Sequence, residues 1–263
     1  MNWIGIRLAE LQLAFMLLTR LPAGTLTSQL PELAHARWAF PIVGCIVGGI
    51  IAASYIILSL LLLPSFAAAI LAITAGLFST GAIHEDGLAD CADGFGGGEN
   101  REKKLAIMRD SAIGSYGTLS LIIIMGLRIS LLSMLPAKLE IVTPIIICAV
   151  ISRYAMVGYL CLLPAARQDG LGNQASGNQA SGNQASGDNI SALILAGLIA
   201  LPAFVIGAFG LIYVIIAIVS VALIWGVIAK YQLGGQTGDV CGAGQIICET
   251  AGWLIIATIY GGL

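Results

Sequence analysis

Charge is scarce in this 263-residue sequence: 12 Lys and Arg and 14 Asp and Glu together make 10% of the chain, against ~25% in an ordinary soluble domain. Beside that stand a hydrophobic fraction of 58% and a mean hydropathy of +0.96. So few charges cannot clothe a globule of this size in water. A soluble enzyme and a disordered chain are excluded, and the lack of any basic excess excludes a nucleic-acid binder. The net charge of -2 selects no partner. Paired cysteines are lacking as well. The six cysteines form no C-x-x-C, so neither a disulfide framework nor a zinc site is implied, and they read as reduced packing residues. A cleavable leader is not evident, because Arg7, Glu10 and Arg20 interrupt the first apolar stretch. What remains is a polytopic membrane protein.

A membrane span needs about 20 apolar residues. Such runs occupy 39–63, 65–83, 118–135, 141–163 and 245–263, with Arg128, Arg153 and Glu249 as isolated charges. The run 190–229 is uncharged and about twice one span long. It divides near Leu201-Pro202 and Gly207 to Gly210, where Pro and Gly permit a reversal. The segment 2–21 mixes Trp3, Ile6, Leu11 and Phe15 with Arg7, Glu10 and Gln12, the pattern of an interfacial amphipathic helix. The expected fold is therefore all-α: a polytopic membrane helix bundle of about seven transmembrane helices plus an N-terminal amphipathic helix, in one membrane-embedded domain over 1–263.

With the N-terminus inside, Arg7, Arg20, Arg37, Arg101, Lys103, Lys104, Arg109, Arg167 and Lys230 all face the cytoplasm, and only Lys138 lies outside. That is a strong positive-inside bias. The same threading places the long polar segments 84–117, 164–189 and 230–244 inside, so any chemistry faces the cytoplasm. From Gly172 the unit G-N-Q-A-S occurs three times in tandem, ending at Gly187. Without apolar content or charge it reads as a low-complexity flexible loop, 172–187.

Seven of the 14 acids fall between Glu85 and Asp110. If one helix runs through His84-Glu85-Asp86-Gly87-Leu88-Ala89-Asp90-Cys91-Ala92-Asp93-Gly94, then Asp86, Asp90 and Asp93 lie at i, i+4 and i+7, within about 60° of arc. Carboxylates so placed near a bilayer either take up protons or hold a divalent cation. The Gly and Ala between them leave room for a ligand, whereas a merely hydrated acidic helix end would not require aligned Asp. Oxygen-only ligands point to Mg2+ or Mn2+. Mg2+ usually shares its coordination with substrate phosphates, so a phosphate-bearing substrate follows. Two small-residue stretches belong at the same depth: Arg109-Asp110-Ser111 through Gly117, and Gly234-Gly235-Gln236-Thr237-Gly238-Asp239. Each suits a phosphate cradle or part of a two-metal site, and each equally suits a tight turn.

These residues resemble the cobalamin synthases, the adenosylcobinamide-GDP ribazoletransferases. His84 to Asp90 with Asp93-Gly94 is similar to their H-x-D-G-x-A-D-x-x-D-G signature, and Ile107-Met108-Arg109-Asp110-Ser111 with Gly114 and Gly117 to their I-M-[RK]-D-S-x-x-G-x-x-G. Gln168 to Gly172 resembles their G-L-G loop, Gly234 to Asp239 their G-G-x-T-G-D, and Thr19 to Pro22 an early T-R-L-P. Ala112 and Gln168 stand where Arg and an acid are expected, and the repeat is not a family feature. A weaker likeness links D-G-x-x-A to the CDP-alcohol phosphotransferases, in which Arg follows directly; here Asp90 does.

The resemblance implies a Mg2+-dependent transfer of α-ribazole, or its 5′-phosphate, onto the phosphoryl group of adenosylcobinamide-GDP, with GMP released. This forms adenosylcobalamin or its 5′-phosphate at the bacterial inner membrane. It implies Asp86, Asp90 and Asp93 as metal ligands. Asp239 is then a further ligand or the general base, with His84 the other candidate base. Lys104, Arg109, Asp110, Ser111, Gly235 and Thr237 are candidate substrate contacts. Partners are the two substrates and the lipid bilayer; a homo-oligomer is compatible with the sequence, and no nucleic acid is expected. Two rivals stand beside this reading: a membrane cation transporter using the Asp stripe as an ion path, and a CDP-alcohol phosphotransferase-like enzyme. Clustering of the acids at one interface counts against the transporter.

Overall fold

The computed structural model describes residues 3–25, 31–176 and 183–261. Twelve α-helices follow one another along the described chain: α1 (Trp3–Leu18), α2 (Leu33–Ala36), α3 (Phe40–Leu60), α4 (Ser65–Thr80), α5 (Ile83–Gly97), α6 (Arg101–Ile107), α7 (Ser115–Ser133), α8 (Val142–Leu162), α9 (Leu171–Ser176), α10 (Asn183–Gly210), α11 (Ile212–Leu233) and α12 (Gly238–Tyr260). Among the described residues there is no strand, as expected for an all-α membrane bundle.

Five helical stretches are long and apolar enough to cross a membrane: Leu33–Leu60, Ser115–Ser133, Leu139–Leu162, Ile212–Leu233 and Gly238–Tyr260. The pair α4 and α5 makes a sixth if counted as one span. The seventh expected span is the described apolar stretch Asn189–Ala203 of α10, which is shorter than the others. α10 runs through Pro202, and the chain leaves the helix only at Leu211. The break thus falls directly after the Gly207 to Gly210 stretch, and not at Pro202.

α3 and α8 pack tightly because α3 presents Gly44 and Gly48 to Ala149. A Cβ on Gly48 would stand 2.8 Å from the Ala149 Cβ, and one on Gly44 would meet the Ala149 carbonyl. This is the small-residue spacing that lets membrane helices approach. The windows of α8 and α12 are the most enclosed, 67% and 78% buried, and both carry polar groups inward. α7 and α11 turn many of their apolar side chains outward, including Ile122, Ile123, Leu223 and Val227. α1 forms as expected, burying Ala14 and Leu18 against the bundle. Trp3, Ile4 and Leu8 are exposed, while Glu10 is buried and accepts from Arg7 (2.8 Å) and Trp38 (2.7 Å).

The break between α4 and α5 matters most for function. The expected span runs uninterrupted to Ile83, and the acids follow in a long polar segment, aligned if the helix continues. Instead Gly81 and Ala82 both take positive φ (66° and 56°), and α5 leaves α4 at 89°. Gly81 suits this conformation, and a Cβ there would also press on Arg20. With four acids in 15 residues, α5 is not itself a membrane-spanning helix. The described parts of the repeat are helical: α9 covers its first unit, and α10 begins at Asn183. Residues 177–182 lie outside the described residues. Arg37 donates to Ser176 O (3.0 Å) and Asn189 Oδ1 (2.9 Å), holding the two flanks together.

Candidate active site

α5 and α12 cross where neither has a side chain to keep them apart. A Cβ on Gly87 would lie 2.7 Å from the Asp239 carbonyl, and one on Gly242 would lie 3.2 Å from the His84 Cα. The glycines after Asp86 and in the Gly238 to Gly242 turn thus bring two acidic segments together. The helical spacing of Asp86, Asp90 and Asp93 holds, since all three lie on α5. α12 begins at Gly238, seven residues before the expected span, because Thr237 caps it by accepting from Val240 N (3.2 Å). Asp239 therefore sits in a first helical turn, where a negative charge is favourable.

Behind this crossing, the 164–166 and 234–236 segments pair as one isolated parallel bridge. Ala166 N donates to Gln236 O and Gln236 N to Pro164 O, both at 2.8 Å. A Cβ on Gly235 would collide with the Pro164 carbonyl, so Gly235 serves this contact and does not line the cavity. Arg101 reinforces the pair by donating to Leu233 O (2.6 Å) and Ala166 O (2.8 Å). The pairing delivers Arg167 to Asp239, with 3.7 Å between Nη2 and Oδ2.

The result is a cavity of about 410 Å3 whose walls include His84, Asp86, Thr237 and Asp239, together with Arg20, Arg167, Asp169, Asn173 and Gln236. Asp90 is half-buried, and its carboxyl is pushed up to about 7 by burial and by the charges of Asp239 and Asp86, against a smaller opposing effect of Arg167. Among the described residues, no three His, Cys, Asp or Glu side chains converge as a ready-made metal cluster.

Asp93 is differently occupied. Its two oxygens accept from Gly114 N (2.7 Å) and Gly117 N (2.8 Å), at the start of α7. A Cβ on either glycine would strike that carboxylate. The spacing of these glycines is therefore explained by a carboxylate that caps α7. None of the remaining candidate contacts lines the cavity itself, although Arg109 pairs with Asp169 of its wall. Lys104 hydrogen-bonds Gln232, Arg109 pairs with Asp169 on the surface (2.5 Å), Asp110 accepts from Ala112 N (3.0 Å), and Ser111 is exposed in the same turn. Arg167, Gln236 and Asn173 were not among the candidates from sequence. Their one signal was position, in or beside stretches already singled out.

His84 lines a second, smaller pocket too, with Glu85, Arg128, Arg153, Gln245 and Glu249. There Glu249 of α12 accepts from Arg128 of α7 (3.1 Å) and Arg153 of α8 (3.4 Å), and Arg128 lies 4.2 Å over the Trp253 ring. The isolated charges in the spans thus satisfy one another. Burial, then the charges of Arg153 and Arg128, hold His84 well below its ordinary value, so its imidazole is neutral.

These features define a polytopic helical membrane protein with an oxygen-rich acidic site at one end of its bundle. The chain belongs to the cobalamin-5-phosphate synthase family, whose model matches residues 10–257. It is 36% identical over 252 residues to the adenosylcobinamide-GDP ribazoletransferase of Mesorhizobium japonicum, covering 96% of this chain and 93% of that protein. The proteins of the same name from Bradyrhizobium diazoefficiens (36% identity, 97% of this chain and 95% of the relative) and Sinorhizobium medicae (40%, 83% and 84%) are similarly related. No solved structure matches it.

Proposed function

We propose that the protein is a Mg2+-dependent adenosylcobinamide-GDP ribazoletransferase working at the cytoplasmic face of a bacterial inner membrane. The observation that carries this is the meeting of α5 and α12, which joins the two motifs of the family resemblance around one cavity. In the reaction, the ribose 3′-oxygen of α-ribazole, or of its 5′-phosphate, forms a bond to the cobinamide-linked phosphorus. The bond from that phosphorus to the GMP oxygen breaks, and the hydroxyl proton passes to the enzyme. The family match along nearly the whole chain disfavours both the cation-transporter and the CDP-alcohol phosphotransferase readings.

The donor set fits Mg2+, since it offers only oxygen and carries more negative charge than Arg167 offsets. Asp86, Asp90 and Asp239 would hold the ion, with substrate phosphates completing its shell; Mn2+ has the same preferences. When bound, Mg2+ supplies charge neutralisation for the diphosphate. Asp93 is assigned the anchoring of α7 to α5 in preference to a metal-ligand role. Arg167 orients Asp239 and faces the phosphates. His84, neutral and in the cavity wall, takes the hydroxyl proton. Thr237 fixes the turn that carries Asp239.

Purified protein in liposomes, given adenosylcobinamide-GDP, α-ribazole 5′-phosphate and Mg2+, is expected to release GMP only with both substrates present. Uptake of a divalent cation into vesicles without GMP release would favour the transporter, and consumption of CDP-diacylglycerol the CDP-alcohol enzyme.

A further inference from the structure

The large cavity has walls of two kinds, and the difference bears on which substrate it encloses, given the transferase reading above. Its polar residues are His84 and Asp86 of α5, Arg167, Asp169 and Asn173 before and within α9, and Gln236, Thr237 and Asp239 at the start of α12, with Arg20 after α1 at the edge of the apolar side. Its larger apolar residues are Ile83 at the start of α5 and, on the opposite side, Leu17 and Leu18 from α1, Phe40 from α3, and Met156 and Leu160 from α8. Met156 and Leu160 are one helical turn apart and share a face. Leu18, Phe40, Met156 and Leu160 are all buried parts of the main core, so this wall is fixed by packing. None of the five side chains on that side carries a hydrogen-bond donor.

Size narrows the occupant. A volume of about 410 Å3 lies toward the small end of pockets for drug-sized ligands, roughly 300–1,000 Å3. It has room for a single nucleoside and not for a corrin macrocycle bearing an upper nucleoside. Two nucleosides take part in the reaction, the guanosine of the donor and the α-ribazole of the acceptor. Guanine carries donors and acceptors around its edge, and burying them against Leu, Phe and Met would leave them unpaired at high cost. The dimethylbenzimidazole of α-ribazole presents an aromatic edge with two methyl groups, whose burial against the same wall is favourable.

We infer that this cavity is the acceptor subsite. Leu17, Leu18, Phe40, Met156 and Leu160 receive the base of α-ribazole, the ribose turns toward His84, Asp86 and Asp239, and the corrinoid with its GDP approaches from outside. Lower-base selection is then a property of α1, α3 and α8.

Steady-state GMP release tests this in two arms. In the wild type, an α-riboside 5′-phosphate carrying unsubstituted benzimidazole is expected to show kcat/KM about tenfold below the dimethyl form. Leu160→Asn is expected to raise KM for α-ribazole 5′-phosphate about tenfold and to leave KM for adenosylcobinamide-GDP unchanged. Equal use of both ribosides by the wild type would overturn the assignment. So would a rise in KM for adenosylcobinamide-GDP in Leu160→Asn, which would place the guanosine in the cavity. The wild-type arm stands even if the variant misfolds. Wild-type protein that releases no GMP from the parent substrates would overturn the transferase reading itself, a distinguishable result.

Discussion

Asp90 and Asp93 lie three residues apart on one helix and have opposite environments. Asp90 is pushed up to about 7 by burial and by the charges of Asp239 and Asp86, while Asp93 is satisfied by two backbone amides. An acid raised in the folded state holds a proton that the unfolded chain releases, so folding loses stability as pH climbs from the ordinary carboxylate range through the folded value. Without divalent cations, the thermal midpoint in detergent is therefore expected to fall between about pH 4 and about pH 7. Mg2+ should remove the fall and release protons as it binds, and Asp90→Asn should flatten it. Differential scanning fluorimetry with and without chelator checks this. For Asp93, replacement by Ala should cost about 2–4 kcal/mol, through two charge-assisted hydrogen bonds lost at a helix start, and Gly117→Ala should give the same defect. Asp93→Ala folding normally while losing Mg2+ affinity would instead make it a ligand. The sequence showed the stripe plainly. It could not show which member is capped, because the amides that engage Asp93 come from residues more than 20 positions away.

At the scale of helices, the Arg128–Glu249–Arg153 group joins α7, α8 and α12 inside the bundle. Removing the central acid leaves two buried cations facing each other. Glu249→Gln is expected to destabilise by about 3–5 kcal/mol, the usual result of breaking a buried pair, read as a lower unfolding midpoint. Charges in apolar spans announce from sequence that partners are needed; which partners is fixed only by how the helices pack. The crossing of α5 and α12 gives a sharper test. Gly87→Ala forces α5 away from the Asp239 backbone, so activity is expected to fall at least tenfold, while the fold, anchored elsewhere, persists; circular dichroism and GMP release separate the two. The 89° turn between α4 and α5 was not legible. Apolar periodicity runs on through Gly81, and Ala82 is a residue that seldom adopts positive φ. The start of α12 was nearer to view, in Thr237 and Asp239, but glycines there suggested a loop.

For the whole molecule, the outward apolar faces of α7 and α11 mark the lipid-facing perimeter, and the acidic site lies where the bundle meets its polar segments. The basic residues predict the orientation. In a variant lacking the exposed Cys45, Lys138→Cys should react with an impermeant maleimide in intact cells, and Lys103→Cys only after permeabilisation. The reverse labelling would invert the topology. Composition alone made the membrane class legible. The exact number of spans was not, because α10 combines a repeat-derived start with an apolar stretch shorter than a full span.

The most direct test of the central claim, that the junction of α5 and α12 is a Mg2+ transferase site, is the Mg2+ dependence of GMP release in wild type, Asp90→Asn and Asp239→Asn. Chelator is expected to abolish wild-type release and Mg2+ to restore it. Both variants should stay folded and remain inactive at saturating Mg2+. Release that persists in chelator, or variants as active as wild type, would contradict it.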